Sequence, residues 1–133
     1  MLPTPSSRSE APTSGARVLI LSADAVVAAL LGALIETLGY VVRFNRPREL
    51  ADEAMRRARP KVCLADSLDP EACTEELLGR ARMRGVGVII FGTSEALDRV
   101  RALAAQHSIE TLRMPAEATV VDGVMKRAFQ RAG

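Results

Sequence analysis

The feature that most limits what this chain can fold into is an alternation. Short apolar runs, each long enough for one strand, recur along the sequence. Each is followed by a stretch whose apolar residues fall at helical spacing. RVLIL (17–21), VVRF (41–44), KVCLAD (61–66), GVIIFG (87–92) and the weaker IETLRM (109–114) are the strand candidates. After Arg17 the run VLIL (18–21) is continuously apolar, the pattern of a strand buried on both faces. After it, SAD (22–24) offers helix-start residues, and Val27, Leu30, Leu31, Leu34 and Leu38 form an apolar stripe that Gly39 ends. Pro47 suits the first turn of a second helix running to about Arg59, with Leu50, Ala54, Met55 and Ala58 inward. Asp69-Pro70 reads as a cap and first turn for a third helix that reaches about Met83 and stops near Gly85. Ser94 is placed to cap a fourth, with Glu95 and Asp98 at its positive end and Leu97, Val100 and Leu103 inside. The last helix spans about 117–131, with Val121, Val124, Met125 and Ala128 on one stripe.

Strands and helices in strict alternation give a parallel sheet covered on both faces. The expected class is therefore α/β, a doubly wound (βα)5 sheet of flavodoxin-like strand order 2-1-3-4-5. In such sheets ligands bind beyond the carboxyl ends of the strands, where strand order reverses. That edge collects Ser22, Ala23, Asp24, Asp66, Gly92, Thr93, Met114 and Pro115. A length of 133 residues fits one domain. Residues 1–15, rich in Pro, Ser and Thr, are expected to form a flexible tail ahead of a folded domain at 16–133. Aromatics are 3% with no Trp, so the core must be aliphatic.

A net charge of +2 is too balanced to point to nucleic acid or an anionic membrane. The arginines at 56, 57, 59, 80, 82, 84, 99 and 101 are mixed with acids and lack interleaved aromatics, which reads as a solvated surface. Cys63 and Cys73 read as reduced structural thiols, and one histidine, His107, leaves a zinc site short of ligands. The N-terminus lacks the apolar core of a signal peptide. The most apolar run, Val26 to Ile35, is far shorter than the roughly 20 residues a membrane span needs. The expected location is cytoplasmic.

Asp66 stands out. It closes an apolar strand, which puts a carboxylate at the mouth of the sheet. The bare pattern serves a turn or capping Asp equally well. The wider spacing adds to it. PKVCLADSLDP (60–70) resembles the segment of bacterial response-regulator receiver domains in which a strand ends in the phospho-accepting Asp and a Pro follows four residues later. Thr93, in FGTS, stands where receivers carry a Thr or Ser that contacts the phosphoryl group, and Met114-Pro115 stands where they carry Lys-Pro. The resemblance covers about residues 16–131 and implies Asp66 as phospho-acceptor, Thr93 as phosphoryl contact and a cis Met114-Pro115 peptide.

The departures carry as much weight. Receivers hold Mg²⁺ with two acids after the first strand, and here those places are Ser22 and Ala23. Asp24 and Asp66 are left as weak metal candidates, with Asp24 better suited to capping the first helix. Met114 replaces the Lys that would balance phosphoryl charge, and Arg113 points away if Met114 points in. Thr111 stands where the family has its switch aromatic. The resemblance therefore implies a degenerate pseudo-receiver: a non-enzymatic signalling protein without cofactor, acting in trans by protein–protein contact and not by Mg²⁺-dependent aspartyl phosphorylation. The alternative is an atypical phospho-acceptor that uses Asp66. A small-ligand domain ranks last, since LSADAVV has no glycine-rich phosphate loop. The expected partner is a signalling protein or histidine kinase, not nucleic acid or membrane. Ala25, Ala29, Gly32 and Ala33, with Ala28, lie outside the apolar stripe of the first helix and would let a partner helix approach. Oligomeric state is left open, a homodimer included.

Overall fold

The computed structural model describes residues 15–133, so the expected tail lies, but for Gly15, outside the described residues. Five strands, β1 (Arg17–Leu21), β2 (Val41–Phe44), β3 (Val62–Asp66), β4 (Gly87–Gly92) and β5 (Glu110–Arg113), form one parallel sheet in the order β2-β1-β3-β4-β5. They alternate with α1 (Ala25–Thr37), α2 (Ala51–Ala58), α3 (Glu75–Met83), α4 (Ser94–Gln106) and α5 (Ala118–Arg131). This is the doubly wound fold and strand order that the alternation predicts. One face of the sheet packs Val18, Ile20, Leu64, Ile89 and Phe91 under α1 and α5, where Leu31, Ile35, Val121 and Met125 complete the layer. The other face packs Leu19, Leu21, Cys63, Ala65 and Ile90 under α2, α3 and α4. Every residue of β3 is buried, which is why its sequence shows no alternation. Among the described residues no helix is long and apolar enough to cross a membrane.

Three helix starts differ from the sequence reading, each because a nearby side chain makes a better cap. Pro47 stays in a loop, and α2 begins only at Ala51. Arg48 turns the chain at φ 64°, in the left-handed region. The Glu49 carboxylate accepts the Arg46 N–H at 2.9 Å, and the Glu53 carboxylate accepts the Leu50 N–H at 3.0 Å. Leu50, expected inside, is exposed. Asp69 forms a single turn instead of a long helix, accepting the Glu71 N–H on its own Oδ1. The helix starts later, where Thr74 Oγ1 accepts the Leu77 N–H at 3.1 Å. In α4 the capping oxygen belongs to Thr93, one residue before Ser94.

The first helix is rotated from its expected phase. Ala28 and Gly32 face the sheet, while Val26 and Leu30 are 68% and 70% exposed. Gly32 is inside because Phe44 needs its space: a Cβ there would lie 2.7 Å from Phe44 Cζ. Ala25, Ala29 and Ala33 do face outward, so the small-residue face expected of this helix keeps three of its five members, loses Ala28 and Gly32, and gains Val26 and Leu30.

The loop after β2 is tied by a two-point ion pair. Glu49 accepts from Arg57 Nε at 2.7 Å and Nη2 at 2.8 Å, and Arg57 Nη2 also reaches the Phe44 carbonyl at 3.0 Å. The Arg57 hydrogen bonds, then the Arg46 N–H, hold the Glu49 carboxyl down at about 2. A depressed folded pKa gives stability that is present above the ordinary carboxylate range and lost as pH falls toward about 2. Urea unfolding at about pH 5 and about pH 2.5 should show Glu49→Gln losing less stability than wild type across that window. An equal loss in both proteins would show that the pair contributes nothing.

Candidate functional site

β3 delivers Asp66 to the carboxyl edge of the sheet between β1 and β4, where the carboxylate is only 6% exposed. The carboxylate is already engaged. Ser22, one residue past the end of β1, donates its hydroxyl to Asp66 Oδ2 at 2.7 Å. Oδ1 accepts the Leu68 N–H at 3.0 Å and closes the turn after the strand. Ser22 Oγ in turn accepts the Asp24 N–H at 3.1 Å, so one hydroxyl ties the start of α1 to Asp66. Both donors to Asp66 are neutral, and among the described residues the carboxylate has no ion-pair partner.

The other residues singled out in the sequence are not drawn into this cluster. Asp24 is exposed and aims Oδ1 at the α1 N-terminus, accepting Val26 N–H at 3.0 Å and Val27 N–H at 3.1 Å. The Thr93 hydroxyl accepts the Ala96 N–H at 3.2 Å, and no hydrogen bond links it to Asp66. Met114 packs against the α1–α5 side of the core, and its peptide bond to Pro115 is cis. Arg113 is exposed and lines a groove with Thr111 and the α4 residues Ser94 and Leu97, away from Met114.

Two residues escape the sequence reading. Ser67 follows Asp66, donates its N–H to the Phe91 carbonyl at 2.9 Å, and buries its hydroxyl oxygen without a hydrogen-bond partner. It occupies the hollow that Gly92 leaves at the end of β4, where any Cβ would overlap Ser67 Oγ. The only sequence signal for this pairing is a glycine at a strand end and a small residue after Asp66. Cys73 donates its thiol to the Asp66 carbonyl at 3.3 Å. Burial first, then the nearby Asp69 and Asp66 charges, holds that thiol up at about 12, so it stays protonated at neutral pH. Burial also pushes the Cys63 thiol up, and both cysteines are free.

Mg²⁺ asks for octahedral oxygen ligation with at least one or two carboxylates. Asp66 supplies one carboxylate with both oxygens committed, Asp24 is spent on capping, and no three His, Cys, Asp or Glu side chains gather among the described residues. These residues do not fit the ion. The basic side chains are distributed among acids: Arg56, Arg80 and Arg84 all converge on Asp52, and Arg127 and Arg131 pair with Glu110.

No family sequence model matches the chain, and no curated protein does. Solved structures do. A response regulator receiver domain protein from Clostridium thermocellum is 20% identical with a TM-score of 0.69, matching 87% of this chain and 95% of that one. A putative response regulator from Chloroflexus aurantiacus is 20% identical with a TM-score of 0.73, over 88% and 99% of the two chains. The signal receiver domain of an HD domain-containing protein from Pseudomonas fluorescens is 17% identical with a TM-score of 0.71, over 90% of each. At these identities the likeness is one of fold.

Proposed function

We propose that this chain is a receiver-like signalling module that works by protein–protein contact, independently of Mg²⁺-dependent aspartyl phosphorylation. The observation that carries this reading is the Ser22 hydroxyl on Asp66 Oδ2 at 2.7 Å. Where the resembled family has an acid that recruits a cation, this chain has a neutral donor that ties the carboxylate into the scaffold. Phosphoryl transfer depends on positioning and on charge stabilisation. Here Met114 brings no charge, and the Thr93 hydroxyl is occupied at a helix start. Asp66 acts in this reading as a structural hub that joins β1, the α1 start and the turn after β3.

The surface that would meet a partner is the outer face of α1. Val26, Ala29, Leu30 and Ala33 make it apolar and low, and no basic residue lies on the helix. Exposed apolar patches on soluble proteins commonly mark interaction sites. Partners captured from the cells that express the protein should be the same for wild type and Asp66→Asn, and lost from the double variant Val26→Glu/Leu30→Glu. These α1 positions are exposed, so the double variant should keep its circular dichroism. Loss of the partners in Asp66→Asn with retention in the α1 variant would overturn the proposal and favour an atypical phospho-acceptor.

A further inference from the structure

Beside the Asp66 mouth lies an open cleft of about 590 Å³, bordered by α1 and by the loops that follow β1, β2 and β3. We infer that this cleft binds a small organic acid with an apolar body. Its size falls within the roughly 300–1,000 Å³ usual for small-molecule sites. Its position, beyond the carboxyl ends of β1 and its neighbours β2 and β3, is where open α/β sheets take ligands.

The apolar wall comes from α1 and β2. Ala25, Ala28 and Ala29 present only methyl groups, and the Phe44 ring stands beside them, seated against Gly32. The opposite wall is the 45–49 loop, which carries Arg46 and Arg48. This loop is held before any ligand arrives, because Arg57 clamps Glu49 and the Phe44 carbonyl together. The clamp also neutralises Glu49. Among the described residues neither Arg46 nor Arg48 has an ion-pair partner, so this wall is left net positive. Across the cleft, Asp69 and Glu71 line the third side and favour a hydrogen-bond donor. The complementary ligand has an acid group toward Arg46 and Arg48, an aromatic or aliphatic body along the alanines and Phe44, and a hydroxyl or amine toward Asp69. The site shares Ser22 with the Asp66 cluster, so an occupied cleft would sit against the same hub.

Naphthoate and its neutral analogue naphthamide separate the charge from the apolar body. Titrated into the full chain and followed by amide chemical shifts, naphthoate should move Ala25–Ala29 and Phe44–Glu49 saturably and bind at least about tenfold tighter than naphthamide. The double variant Arg46→Gln/Arg48→Gln should bring the two affinities together. Ala25→Trp, on an exposed position, should fill the cleft and abolish binding of both compounds while circular dichroism stays unchanged. No saturable shift in these segments, or naphthamide binding as tightly as naphthoate, would overturn the inference. So would naphthoate binding that ignores both arginine substitutions.

Discussion

Restoring the missing charges should turn the Asp66 site on. The triple variant Ser22→Asp/Ala23→Asp/Met114→Lys is expected to take up phosphate from acetyl phosphate and Mg²⁺ at least about 10²-fold faster than wild type, because removal of one transition-state donor alone costs roughly 10²–10³ in rate. Each change acts on a feature of the structure. Ser22→Asp removes the hydroxyl that holds Asp66 Oδ2 and puts a second carboxylate at the same mouth, where the pair favours a hard cation. Ala23 is exposed, so an acid there is tolerated. Met114 is half-buried, and a lysine stem can follow its path while the ammonium reaches the edge of the sheet. Intact mass against time gives the rate. Adding Asp66→Asn to the triple variant should remove the signal, and a triple variant as inert as wild type would show that more than these charges is missing.

The second large effect concerns the scaffold. Gly87→Val should lower stability by on the order of 3 kcal/mol or more, because a side chain there has nowhere to go. Gly87 is the first residue of β4, buried under α5, and any Cβ would overlap the Ala128 carbonyl oxygen and lie 3.0 Å from the Ala128 carbonyl carbon. These are backbone atoms of a helix whose Val121, Val124, Met125 and Ala128 are packed on the sheet, so α5 must shift as a body. The melting temperature should fall by roughly 10 °C or more. Gly79→Ala is the matched control. It lies within α3 with nothing within 4 Å of its Cβ, and should gain about 0.5–1 kcal/mol from reduced chain entropy. A neutral Gly87→Val would mean that α5 rides loosely on β4.

The central strands β1, β3 and β4 were legible because burial on both faces leaves no choice but apolar runs, as in VLIL (18–21) and GVIIF (87–91). Helix starts were less so. Pro47 and Asp69-Pro70 resemble first turns locally, yet Glu53 and Thr74 satisfy backbone donors further on. The phase of α1 was hidden because a helix apolar almost all round has no polar stripe to orient it. Only the seating of Phe44 on Gly32, across two elements, decides which side is in. At the site, Asp66 could be picked out from its place at a strand end. Its bond to Ser22 joins residues 44 apart in sequence, and the cleft is built by three loops, so neither leaves a local signature.

The central claim is that Asp66 is a structural carboxylate, and wild-type protein incubated with Mg²⁺ and acetyl phosphate tests it most directly. Intact mass should stay that of the unmodified chain, with the restored triple variant as the positive control. A stable phosphate on wild type that disappears in Asp66→Asn would contradict the claim.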